Sequence, residues 1–175
     1  MRDALLEAQD PGNSFGVKIA VVGVGQYMRG DDAAGLEAVL LWQRRHPEEA
    51  GAADIRVGLV TVPGLELPDV LEGAEAAILV DAVRGSGVPG AIRALSLYQL
   101  EASAAASGSM HGWGVPEELR LGKALGQYSP DLALRLIGIE AAHVRVGSAL
   151  SPAVHAALPL ASDLIQTEIQ ALRHP

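Results

Sequence analysis

The chain predicts an α/β protein, a single-domain three-layer α/β/α arrangement built on a mostly parallel twisted sheet. Three observations carry this expectation. Short apolar runs of Val, Ile, Leu and Ala recur along the chain, stretches of helical spacing separate them, and two of the runs lead into aspartates. Runs without polar alternation read as strands covered on both faces, and their alternation with helices is the pattern of parallel crossover connections.

The elements follow in order. Residues 1–16, MRDALLEAQDPGNSFG, carry Asp3, Glu7 and Asp10 and lack an uninterrupted apolar core. They do not read as a signal peptide and are expected to be a loosely ordered extension to a domain spanning 17–175. Val17 to Val24 is the first strand, and the chain then turns at Gly23 and Gly25. After Asp31 and Asp32 the apolar positions switch to helical spacing, with Leu36, Val39 and Leu40 on one face. One of the two acids is expected to cap that helix. Ile55 to Val62 is a second strand ended by Pro63, and Leu65 to Leu71 suits a short helix despite Pro68. Ala76 to Val80 is a third strand closing on Asp81.

Glycines and a proline make the stretch from Asp81 to Ile92 a loop, after which Ile92 to Tyr98 alternates as a strand. Pro116 to Gln127, with Leu119, Leu121 and Leu125 among charged residues, suits a helix, and Leu132 to Ile139 a strand. The last helix is the clearest. Ser151 and Pro152 supply an N-cap and a first-turn proline, and Val154, Leu158, Ala161, Ile165, Ile169 and Leu172 follow at spacings of three and four. Pro159 is a place for a kink.

Composition narrows the functions. At 175 residues with 49% hydrophobic and 3% aromatic content, the chain suffices for one domain with an aliphatic core. A formal net charge of −8 argues against nucleic acid or an anionic membrane surface as general partner. No apolar run approaches the roughly 20 residues that cross a bilayer, so no membrane insertion is expected and the location is expected to be cytoplasmic. The chain has no cysteine, which removes disulfides, thiolate metal sites and cysteine nucleophiles. Any metal must use carboxylate and imidazole.

The glycine turn invites comparison with a dinucleotide fingerprint, yet the third glycine position holds Met28. Asp31 and Asp32 stand where a pyrophosphate would need a positive helix end, so no organic cofactor is expected. If the first and third apolar runs are parallel strands, Asp32 and Asp81 follow their carboxyl ends on one edge of the sheet, where ligands of α/β proteins bind. Asp81 alone also fits a strand-end residue that bonds to loop amides. His111 sits in the glycine-bordered loop SGSMHGWG. His46 and His174 fall at helix ends, His155 lies on the last helix, and His143 follows a strand. Two carboxylates and an imidazole make an incomplete shell for a divalent cation, with positions open to water or substrate; the same trio could position a water for hydrolysis without a metal of its own. A noncatalytic metal- or peptide-binding module and a nucleotide-binding enzyme are the alternatives.

The segments GVGQYMRGDDAAG, ILVDAVRGSGVPG, MHG and LIGIE, in this order and spacing, resemble the nickel–iron hydrogenase maturation endopeptidases, from about Val17 to the last helix. The resemblance implies that Asp32, Asp81 and His111 are the metal-binding and catalytic residues of an aspartyl-type peptidase. It further implies removal of a short C-terminal extension from the hydrogenase large-subunit precursor, with nickel arriving in the substrate as a recognition element. Three departures stand out: Gln26 for the usual asparagine, Met110 for a serine, and a longer N-terminal extension.

Overall fold

The structure, a computed structural model, describes residues 18–61, 63–85, 87–96, 119, 122–129 and 131–174. Strand β1 (Ile19–Val24) leads through a 3-10 turn (Gly30–Ala33) into helix α1 (Ala34–Arg45) and a short helix α2 (Pro47–Ala50). Strand β2 (Ile55–Val60), helix α3 (Pro63–Leu71), strand β3 (Ala76–Val83) and strand β4 (Ile92–Ser96) follow. Strand β5 (Ala133–Glu140) and the 22-residue helix α4 (Pro152–Arg173) complete the set.

The five strands form one sheet in the order β2-β1-β3-β5-β4. All pairings are parallel except that of β4 with β5. The alternation of side chains along each strand sorts them between two cores. Ile19, Val21, Ile78, Val80, Ile137 and Ile139 face α1 and α4, whereas Ala20, Val22, Val24, Ala77, Leu79, Leu134 and Leu136 pack with Leu67 and Leu71 of α3 and with Leu119. The sheet therefore lies between two layers. All six residues of β1 are buried, which is why its sequence lacks alternation.

Several boundaries differ from the sequence expectation. The third strand continues past Asp81 to Val83, because β5 pairs with it as far as Val83 opposite Glu140. The helix expected from Leu65 begins at Pro63. There Glu66 reaches back and accepts a hydrogen bond from the Thr61 N–H at 2.6 Å. Of the stretch 116–127, residues 119 and 122–124 are helical and 125–126 turn, while the others up to 121 lie outside the described residues. The extension 1–16 and His111 also lie outside them. No described helix is long and apolar enough to cross a membrane.

Helices α1 and α4 pack side by side on one face of the sheet. Leu40 is only half-buried, and the inner face of α1 is completed instead by Trp42, which is fully buried. Its indole N–H donates to Gln166 Oε1 at 3.0 Å. Replacing Gln166 by Met, similar in size but without the acceptor, is expected to cost about 1–2 kcal/mol through the orphaned donor. A shift of the urea midpoint at constant m would register that cost. Helix α4 runs through Pro159 as one element, and the Pro159 carbonyl accepts from Arg45 Nη1 at 3.0 Å.

Candidate functional site

The sheet changes direction at β1, whose neighbours β2 and β3 lie on opposite sides. Connections leaving a sheet in opposite directions open a crevice at the strand ends. Here the segment from Gly25 to Ala33 crosses that crevice. Two glycines, Gly25 and Gly35, allow close backbone contact here. Gly25 has φ +145°, and a Cβ there would fall 1.8 Å from the Asp32 carbonyl oxygen. At Gly35 a Cβ would meet the carbonyl oxygens of Val80 and Val24 at 2.1 and 2.5 Å. The beginning of α1 thus rests directly on the ends of β1 and β3, and the Asp32 carbonyl fills the space over Gly25.

The adjacent acids have different surroundings. Asp31 is fully buried. Its Oδ1 accepts from the Ser151 N–H at 2.6 Å, and its Oδ2 from the N–H groups of Ala142 and His143 at 2.8 and 3.1 Å. Neither acid caps α1, whose N-cap position, Ala33, has no side-chain hydrogen bond. The expected cap is corrected on that point: Asp31 serves the segment entering α4, where the Ser151 hydroxyl is the true N-cap and accepts from Val154 N–H. Main-chain bonds add to this seam, from Asp31 N–H to the His143 carbonyl, Gly30 N–H to that of Ser148 and Gly147 N–H to that of Met28.

Burial alone would raise the pKa of Asp31. The backbone of Ser151 and His143, the Ser151 hydroxyl and the Ala142 N–H outweigh it and hold the carboxyl below its ordinary 3.8. With a folded value below the unfolded one, the stabilisation is complete above the unfolded value and is lost as pH falls through the folded one. The stability gap between wild type and Asp31→Asn, read by chemical denaturation at a series of pH values, should therefore be full at neutral pH and shrink below 3.8.

Asp32 is half-buried, and its carboxylate holds no hydrogen bond among the described residues. A 3-10 turn advances about 120° per residue, so neighbouring side chains leave it in different directions. Asp81 lies in β3 opposite Gly138 of β5, one residue beyond the pairing of Val80 with Gly23 of β1. The structure thus places Asp32 and Asp81 at the same end of adjacent parallel strands. Among the described residues no group of three His, Cys, Asp or Glu side chains could hold a metal ion.

Glu140, at the end of β5, was not among the expected site residues. It is 4% exposed, and its Oε1 accepts from the Gly85 N–H at 2.7 Å. A Cβ at Gly87 would fall 2.6 Å from its Oε2. The glycines after β3 therefore leave room for a carboxylate that ties the loop beyond Asp81 to the neighbouring strand. The available sequence signal was an acid directly after an apolar run, facing a glycine-rich loop elsewhere in the chain.

Comparison with known proteins places this architecture. The family model described as hydrogenase maturation protease matches residues 61–168. Among solved structures, the fold is similar to the [NiFe] hydrogenase maturation protease HybD from Thermococcus kodakarensis, with 22% identity and a TM-score of 0.67 over 86% of this chain and 97% of that one. It is also similar to the hydrogenase maturating endopeptidase HybD from E. coli, with 20% identity and a TM-score of 0.69 over 88% and 93%. A hydrogenase 2 maturation peptidase from a Thaumarchaeota archaeon shares 26% identity, with a TM-score of 0.58 over 87% and 97%. No curated protein matches by sequence. With the family model covering more than half of its length, the chain belongs to the hydrogenase maturation proteases, which are endopeptidases.

Proposed function

We propose that this endopeptidase removes a C-terminal extension from the precursor of a hydrogenase large subunit after nickel has been inserted. The observation that carries the reading, beside family membership, is the placement of two carboxylate residues, Asp32 and Asp81, at the ends of adjacent parallel strands beside the crevice at β1. In this reading nickel is part of the substrate and serves as the recognition element. Asp32 and Asp81 offer oxygen donors, and His111 offers an imidazole nitrogen. Such a donor set suits Ni²⁺ or Zn²⁺ without sharp selection between them. Asp32, lacking a hydrogen-bond partner among the described residues, is the group assigned to take a proton from the attacking water, in the role of general base.

The test is cleavage itself. Purified protein is incubated with a large-subunit precursor in nickel-loaded and nickel-free forms, and intact mass is followed with time. Loss of a C-terminal peptide from the loaded form alone is the expected result. Equal cleavage of both forms would remove nickel as the recognition element, and an unchanged mass in both would overturn the proposal.

A further inference from the structure

We propose that Asp31 is a positioning residue for the processing reaction, acting through its neighbour Asp32. The inference rests on the reading of Asp32 as the carboxylate that activates water. Asp31 is fully buried, and its two oxygens accept three main-chain N–H bonds from Ala142, His143 and Ser151. The donors flank the loop between β5 and α4, and none comes from α1. Asp31 thus has no local role as a helix cap.

What the clamp fixes is the 3-10 turn. A carboxylate held from two directions leaves the Asp31 backbone little freedom. Rotation of the turn about its axis would carry the next side chain with it. The main-chain bonds of Asp31 with His143 and of Gly30 with Ser148 close the same seam. Gly30, at φ +63°, makes it tight: a Cβ there would fall 2.5 Å from Ser148 Oγ and 3.0 Å from His143 Nδ1. The pair of acids therefore differs in its ties, the first anchored to the segment entering α4 and the second without a side-chain hydrogen bond among the described residues.

Two variants disturb the seam from opposite sides, Asp31→Asn and Gly30→Ala. Asn retains one acceptor but turns an amide group toward N–H donors. Both variants are expected to lower kcat on nickel-loaded precursor about 100-fold, the scale of a misplacement near 1 Å, with KM rising by a smaller factor because only one of the proposed contacts to the precursor is displaced. Ile169→Ala removes core packing in the distal half of α4 and supplies a control that lowers Tm without touching the turn. At temperatures where all variants are folded it should keep wild-type kcat. Hydrogen exchange should show faster amide exchange at 30–33 in Asp31→Asn with β1 unchanged. A wild-type kcat in both seam variants, or an Asp31→Asn loss no larger than that of Ile169→Ala, would overturn the positioning role alone. Failure of wild type to cleave would remove the reading of the reaction along with it.

Discussion

Asp32→Asn is expected to reduce turnover of nickel-loaded precursor by about 10²–10⁴-fold, the range over which a positioned general base contributes. The substitution keeps the shape of the side chain and removes its charge and basicity. The backbone of the turn is held without it, through the Asp31 clamp and the bond from Asp32 N–H to the Arg29 carbonyl. Half-buried and without hydrogen bonds to described residues, the Asp32 carboxylate contributes little to folding, so Tm should stay within a few degrees of wild type. The measurement is a single-turnover time course by intact mass beside a thermal melt. Normal cleavage by a folded variant would exclude Asp32 from the chemistry.

Gly35→Ala should have the largest effect on stability. The added methyl would approach two main-chain carbonyl oxygens, at 2.1 and 2.5 Å, on strands at the centre of the sheet. Neither oxygen can swing away as a flexible side chain would. Relief would require α1 to lift from β1 and β3, opening the core that contains Val39 and Trp42. Overpacking of this kind costs about 3 kcal/mol or more, which for a chain of this size lowers Tm by about 6–12 °C. A variant melting within about 2 °C of wild type would show that the helix start has more room than the backbone positions allow.

The two acids show how far the sequence could be read. Its first run was legible as a fully buried strand because parallel strands at the centre of a sheet meet apolar neighbours on both faces. Helix α4 was legible because a cap, a proline and a regular apolar spacing agreed. The antiparallel direction of β4 was not, since alternation records exposure and says nothing of direction. Nor could local reasoning divide Asp31 from Asp32. Both are acids at a helix start, and propensity assigns either one to the cap. The donors that claim Asp31 come from 111 to 120 positions further along the chain, a distance at which no local rule operates. Asp32 was singled out by family resemblance alone; what the structure adds is that both oxygens of its neighbour Asp31 are occupied by main-chain donors. Trp42 was missed as an anchor because the apolar face expected of α1 ended before it.

The same separation in sequence bears on the order of assembly. A chain emerging from its N-terminus makes Asp31 long before Ala142, His143 and Ser151 exist to receive it. Closing so long a loop is an entropic cost that only the later contacts offset. Until β5 and the segment that leads from it into α4 are in place, Asp31 lacks these donors and the turn lacks its lock. The turn that carries the two acids is consequently among the later parts of the molecule to be completed, and a nascent or truncated chain ending before residue 142 carries both acids without this clamp.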